Sequence, residues 1–339
     1  MADHDRPSVL VTGGAGYIGS HAVLALLDAG RHPVVLDDLS TGFRWAVPAA
    51  VPFALGDVGD EALVARLIVE YGVDSILHFA GSVVVPESVV NPLKYYRNNT
   101  ANSRSLLAAA IAGGVKHFVF SSTAAVYGTP DAPLVAEDAP PRPINPYGRS
   151  KLMTEIMLQD AAAAHPFNFC ALRYFNVAGA DPAGRSGQST IGATHLIKVA
   201  VEAACGKRAG IDIFGEDFQT SDGTGVRDYI HVSDLAAAHL NALDALDAEP
   251  AVSQTMNCGY GRGFSVLDVL DCVERVAGVR IERRMMPRRP GDPAALVADN
   301  RRILSRLDWT PKFDNLETIV DHAWRWERSL AERGTAPRN

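Results

Sequence analysis

The strongest constraint on what this chain can fold into is a run of glycines, Gly13-Gly14-Ala15-Gly16-Tyr17-Ile18-Gly19. It is set between a short apolar segment, Val9 to Thr12, and a helical pattern from Ile18 to Ala29 that Gly30 closes. The spacing Gly14-x-Gly16-x-x-Gly19 overlaps Gly13-x-x-Gly16-x-x-Gly19. Glycine is needed in such a turn for the tight bend, for close approach of backbone to a pyrophosphate, and for packing of helix on strand. The helix N-terminus then faces the phosphates. Asp37 ends the next apolar segment, where a carboxylate can accept from adenosine ribose hydroxyls. Asp37 and Asp38 together would repel a 2′-phosphate, and neither of the next two residues is Lys or Arg. The pattern predicts a bound dinucleotide, NAD in preference to NADP.

The strand-turn-helix pattern recurs. Pro33 to Leu36, Pro52 to Leu55, Ser75 to Phe79, Lys116 to Ser121 and Asn168 to Tyr174 read as strands; Glu61 to Tyr71, Pro92 to Ala112 and Tyr147 to Ala164 read as helices. This alternation predicts an α/β fold, a doubly wound parallel (Rossmann) sheet. Asp57 after the third strand is placed to meet the adenine, with a plain helix cap as the alternative, and Phe79-Ala80-Gly81 would line the cofactor's path. After Tyr174 the texture changes. Asn176 to Thr190 and Gly215 to Gly225 are rich in Gly, Asp, Ser and Thr, as loops are. The expected organisation is therefore an NAD-binding Rossmann domain over 1–175, rejoined by a segment at about 228–250, a smaller interleaved substrate domain over 176–330, and a frayed tail over 331–339.

Composition narrows the function. The 339 residues are 47% apolar and 21% charged, which excludes disorder for the bulk of the chain. A net charge of −7 with no long basic run speaks against nucleic acid and anionic membrane, and favours a small-molecule partner. Residues 1–8 are too polar for a signal segment, and no 18-residue apolar stretch follows. Cys170, Cys205, Cys258 and Cys272 form no C-x-x-C pair and read as reduced thiols. A cytoplasmic enzyme without a metal fits these bounds.

Tyr147 and Lys151 lie one turn apart near the start of a helix, so both project from one face. An ammonium beside a phenol, joined by the positive nicotinamide of NAD, is expected to lower the phenol's pKa and make Tyr147 a general base. Ser121-Ser122-Thr123 ends the preceding strand, where a hydroxyl can bridge a substrate oxygen and the tyrosine. A Tyr-x-x-x-Lys alone is more often an ordinary surface helix; the glycine turn and this strand end give it meaning.

With these blocks in place the chain resembles the extended short-chain dehydrogenase/reductase superfamily, and within it the epimerases that invert C4 of UDP-hexoses. The resemblance runs from Val9 to about Trp326. It is carried by Thr12 to His21, His78 to Gly81, Ser121 to Gly128, Tyr147 to Lys151, Arg173 to Asn176, and the long block Asp222-Gly223-Thr224-Gly225-Val226-Arg227-Asp228-Tyr229-Ile230-His231-Val232. The resemblance implies that Tyr147 takes the sugar 4-hydroxyl proton while C4 gives hydride to NAD, that Thr123 shares the proton path, and that Lys151 holds the nicotinamide ribose. The 4-keto sugar then turns over and recovers the hydride on its other face, interconverting UDP-glucose and UDP-galactose.

By the same resemblance Gly13, Gly16, Tyr17, Ile18, Gly19, Asp37, Asp38, Leu39, Asp57, Val58, Phe79, Ala80, Gly81, Val83, Asn98, Ser121, Ser122, Tyr174 and Phe175 would surround NAD together with Tyr147 and Lys151. Asn176, Arg227 and Arg289 would grip the diphosphate. His195, Leu196, Ile213, Phe214 and Tyr229 would line a uridine pocket, Asp292 would accept from its ribose, and Leu296 would border the sugar beside Thr123 and Tyr147. As bare patterns the two arginines read as solvated charges and the apolar residues as core. A homodimer paired through the helices at about 92–112 and 147–164 is also implied.

Two residues depart from the pattern. Val83 replaces a lysine that many relatives carry near the nicotinamide, and Leu296 replaces a tyrosine that blocks N-acetylated sugars in some, so UDP-hexosamines become candidate substrates. A dehydratase would need an acid and base just after Thr123, where Ala124 and Ala125 stand. A non-catalytic NAD-sensing scaffold is the rival from another class, and intact Tyr147, Lys151 and Thr123 argue against it.

Overall fold

A computed structural model describes residues 7–249, 253–289 and 291–332. Its centre is a seven-stranded sheet of Phe53–Leu55, His32–Asp37, Ser8–Thr12, Val73–His78, His117–Thr123, Asn168–Tyr174 and Gln254–Cys258, in that spatial order. Every neighbouring pair is parallel. Strands buried on both faces are apolar at successive positions rather than at alternate ones, and the first strand shows why. Val9 and Val11 point into one core with Ala22, Val23 and Leu26 of the helix Tyr17–Asp28 and Leu235, Ala238 and Ala242 of the helix Val232–Ala248. Leu10 points into the opposite core with Leu67 and Ile68 of the helix Glu61–Tyr71, Leu106 and Ala110 of Asn102–Ala112, and Leu158 of Pro146–Ala164. Helices thus cover both faces, as a doubly wound sheet requires.

The helix expected from Pro92 to Ala112 is more broken than its composition suggests. Pro92–Tyr95 is α-helical, Tyr96–Ala101 forms a π-helical turn, and Asn102–Ala112 resumes the α-helix; Val85–Val90 adds a short helix before it. The widened turn releases the Asn99 carbonyl to accept from the Thr154 hydroxyl at 2.7 Å and the Ser103 hydroxyl at 2.8 Å. That fixes this helix against the one carrying Tyr147.

A second sheet lies after the first. Val226–His231 pairs antiparallel with Gly263–Ser265 and parallel with Ala295–Ala298 and Asn176–Ala178; Ala295–Ala298 also pairs with Leu134–Val135. Ile211–Phe214 and Arg283–Met286 form a separate parallel pair. Leu196–Ala204, Val266–Ala277 and Leu316–Glu332 enclose the apolar cluster of this region, which includes Ile197, Val201, Ile213, Tyr229, Val269 and Ile319. The last helix runs through Glu332, so residues 331 and 332 of the expected frayed tail are helical; residues 333–339 lie outside the described residues.

Candidate active site

In a parallel sheet all strands finish on one edge, and here Thr12, Asp37, His78, Thr123 and Tyr174 end strands together. After Ser8–Thr12 the strand order reverses, to His32–Asp37 on one side and Val73–His78 on the other, which opens a crevice at the glycine turn. Gly13 takes φ +69°, and a Cβ there would lie 2.6 Å from the Ala80 amide nitrogen. At Gly19 it would lie 2.2 Å from the Gly13 carbonyl oxygen. Gly16 caps the helix without a side-chain bond to its first amides, leaving those donors directed at the crevice. A cradle that any Cβ would fill, with free amides at its rim, fits a pyrophosphate.

Asp37 is buried and accepts the Ala15 amide at 2.9 Å and the Leu39 amide at 2.8 Å. Burial raises its pKa; the two amides oppose that. Leu39 itself adopts φ +57°. Asp38 is exposed and accepts from Ser40. Asp57 accepts from the Gly59 amide and from Asn102 at 2.7 Å, while Asp60 caps the following helix, so the plain-cap alternative for Asp57 does not hold. Val58 is packed in the core beside Val64 and Leu67, and Ile18 is packed against the other core. Across the crevice Asn98 donates to the Ser82 hydroxyl at 3.0 Å, and Val83 is 46% exposed. The Tyr17 hydroxyl donates to the Gly179 carbonyl at 2.7 Å, tying the first helix to the loop that leads into the second region.

Asn145 caps the helix Pro146–Ala164 by accepting the Gly148 amide at 2.8 Å, with Pro146 in the first turn. This start sets Tyr147 and Lys151 over the strand end Ser121–Thr123. Tyr147 is buried with its hydroxyl beside the Thr123 side chain; its ring meets that of Tyr95 edge to face at 6.4 Å. The Lys151 ammonium, also buried, donates to the Ser121 carbonyl at 3.0 Å and lies 4.9 Å from the Phe120 ring centroid. The Ser121 hydroxyl donates to Tyr174 at 2.9 Å, and Phe175 packs with Ala124 and Val126.

Burial raises the Tyr147 phenol above its ordinary pKa, and the Thr123 hydroxyl beside it opposes that rise. Burial also pulls the Lys151 ammonium down to about 8, against the pull of Glu155.

In the second region Arg227 stands opposite Leu296, and Tyr229 opposite Asn176, on paired strands. Arg289 bonds Asp292 at 2.8 Å and lies 4.7 Å over the Phe214 ring. Burial lowers the Arg227 pKa, with the charge of Asp292 raising it and that of Arg289 lowering it; the Arg227 guanidinium itself bonds the Val226 carbonyl at 2.8 Å. His195 caps the helix that Leu196 begins and pairs with Gln188 at 2.9 Å. Ile213 and Tyr229 are packed in the apolar cluster of this region. Among the described residues no group of His, Cys, Asp and Glu could hold a metal ion.

Sequence reasoning passed over Asn99 and Glu155. Asn99 is buried, and its side chain accepts the Ser82 amide at 2.7 Å and donates to the Ser82 carbonyl and the Ser150 hydroxyl. Glu155 is buried between Ser122 and Arg173. The only signal for it was the four-residue rhythm that continues from Tyr147 through Lys151.

Residues 9–259 match the sequence pattern of the NAD dependent epimerase/dehydratase family. A UDP-glucose 4-epimerase of Azospirillum brasilense is 59% identical over 96% of this chain and 93% of its own length. The crystal structure of a Brucella ovis UDP-glucose 4-epimerase in complex with NAD superposes with a TM-score of 0.91 at 42% identity, covering 94% of this chain and 98% of that one. The UDP-Glc/GlcNAc 4-epimerase of Campylobacter jejuni superposes with a TM-score of 0.84 at 47% identity, covering 96% of this chain and 100% of that one.

Proposed function

The chain belongs to the NAD dependent epimerase/dehydratase family, and from that premise we propose that it inverts C4 of a UDP-hexose, interconverting UDP-glucose and UDP-galactose. The observation that carries this reading is the Tyr147 phenol, buried beside Thr123, one helical turn from the buried Lys151 ammonium at the edge where the strands end. Bound NAD supplies a hydride acceptor and donor for C4. Tyr147 removes the proton of the 4-hydroxyl and later returns it, and Thr123 passes that proton by hydrogen bonding to both oxygens. Lys151, fixed on the Ser121 carbonyl, supplies positive charge that offsets the cost of a buried phenolate.

Arg227 and Arg289 hold the diphosphate, supported by the two guanidiniums lying close enough for each charge to act on the other, with Asn176 beside them and the base against Phe214, Leu196 and His195. Firm grip on the diphosphate and loose grip on the sugar let the 4-keto intermediate present its other face. The seven-stranded sheet carries NAD and the second region the UDP-sugar. UDP-N-acetylhexosamines are further substrates, because Leu296 packs beside Ala124 and Phe175 without a hydroxyl or an aromatic ring to fill the space of an acetyl group. A homodimer is supported by apolar side chains left open on adjoining helices, Val89, Val90 and Leu93 on one side and Met153 and Ile156 on the other. The four unbridged thiols fit a reducing, cytoplasmic setting.

The test is to incubate purified protein with UDP-galactose, add no NAD, and follow UDP-glucose by chromatography beside a Tyr147→Phe variant. Conversion by the native protein that disappears in the variant is the expected result. A variant as active as the native protein overturns the role of Tyr147, and no conversion even after NAD is added overturns the reaction.

A further inference from the structure

Three consecutive residues of one strand end each face one residue of the helix beside it. The Thr123 side chain lies beside the Tyr147 hydroxyl, the Ser121 carbonyl accepts from Lys151, and the Ser122 hydroxyl donates to Glu155. The helix residues are successive turns of one stripe, so strand end and helix are locked in a single register. Two of these contacts belong to the catalytic set proposed above; the third does not touch the crevice.

Glu155 is built in from its other side as well. It is 1% exposed and accepts from Arg173 of the neighbouring strand at three contacts, the shortest 2.6 Å. Arg173 in turn donates to the Tyr127 hydroxyl at 3.0 Å, and Tyr127 donates to Asn257 at 2.7 Å. The Asn257 amide donates to Glu137. A purely structural ion pair at this place could be replaced by apolar side chains at little cost in stability. This one instead puts a carboxylate one turn beyond the catalytic lysine and a hydroxyl's length from the strand that carries Thr123.

We propose that Glu155 is a positioning residue for the epimerase reaction: through Ser122 it holds the Ser121–Thr123 strand end in register with Tyr147 and Lys151, and it sets a carboxylate one helical turn from the Lys151 ammonium. The proposal rests on the function given above and assigns a role that touches neither substrate nor cofactor. The charged and titratable groups around the stripe are Arg173 and Tyr127 on the Glu155 side, His78 facing Lys151 from the adjacent strand, and Tyr95 and Tyr174 near Tyr147. His78 is held neutral by burial, bonded to Thr12 and Ser103, so it does not compete for the role. Glu155 raises the pKa that burial lowers at Lys151.

A negative charge one helical turn away makes loss of the Lys151 proton harder. Replacing Glu155 by glutamine keeps the shape and removes the charge. The measurement is kcat/KM for UDP-galactose between about pH 6 and 10, with bound NAD and the thermal transition recorded to show that the variant is folded. The Glu155→Gln variant is expected to shift the alkaline limb of the profile, set by Lys151, to lower pH by about one unit. A Glu155→Asp variant, which keeps the charge but shortens the reach to Ser122, is expected to restore that limb with a lowered kcat. An alkaline limb unmoved in a folded Glu155→Gln protein overturns the proposal.

If Glu155→Gln does not fold, Ser122→Ala decides the matter, because it leaves the Glu155–Arg173 pair intact. A fall in kcat with KM unchanged supports the role, and an unchanged kcat overturns it. Native protein that converts no UDP-hexose removes the proposed function and this role with it, whereas active native protein with an alkaline limb unmoved in Glu155→Gln removes this role alone.

Discussion

The Asp37 carboxylate accepts the Ala15 amide at 2.9 Å, so the end of the second strand grips the middle of the glycine turn. One side chain thereby shapes the glycine turn, and in the proposed reading its remaining lone pairs would meet an adenosine ribose. Replacing it with alanine leaves the buried Ala15 amide and the part-buried Leu39 amide without their acceptor, at about 1–3 kcal/mol. Asp37→Ala protein is expected to bind NAD at least about tenfold more weakly, while its preference over NADP narrows. Titration with both cofactors measures this, and unchanged NAD affinity would refute it.

Lys151 sets the alkaline limit. Burial lowers its pKa to about 8, so the ammonium is present below that pH and is lost as pH rises through it. The positive charge that stabilises the phenolate goes with it. The kcat/KM of the native enzyme should therefore descend above about pH 8, and a Lys151→Met variant should be inactive across the range. A flat profile up to pH 10, well past that pKa, contradicts this assignment.

Leu296 stands opposite Arg227 on paired strands and packs with Ala124, Val126 and Phe175, at the border between the diphosphate grip and Thr123. A Leu296→Tyr substitution fills that border with a ring. Turnover of UDP-GalNAc should fall by about tenfold or more relative to UDP-galactose, because overfilling a packed pocket costs about 1–3 kcal/mol. Equal loss on both substrates removes Leu296 as a determinant of specificity.

Leu93 is 76% exposed and Val90 82%, on the short helices that pack beside the helix bearing Met153 and Ile156. Open apolar area of this kind is what the proposed homodimer would cover. Leu93→Asp should convert a dimer to a monomer by light scattering. An identical mass for both proteins would show that this face does not pair.

Much of this was legible beforehand where chemistry is local. The glycine turn, Asp37 and the apolar strands follow from near-neighbour spacing, because glycine sterics and strand burial act within a few residues. Tyr147 and Lys151 follow from helical periodicity. What stayed hidden depends on partners distant in sequence. The π-helical turn at Tyr96–Ala101 is supported by Thr154, and nothing near Asn99 announces it. Glu155 reads as an ordinary helix residue until Arg173 arrives from the next strand. The burial that raises the Tyr147 pKa is hidden for the same reason: charge proximity can be read from spacing, whereas burial comes from the whole fold.

The strand Gln254–Cys258 has one more consequence. It completes the sheet beside Asn168–Tyr174, yet all of residues 175–253 separate the two in the chain. During synthesis on the ribosome, six strands can assemble while the edge of Asn168–Tyr174 stays open, offering unpaired backbone to any passing strand. Closure waits for a distant segment, and long-range pairing of that kind slows folding. The nascent protein is therefore most exposed to misassembly in the interval before residue 258 emerges, and a chain truncated before Gln254 should aggregate even though every residue proposed to bind NAD has already been made.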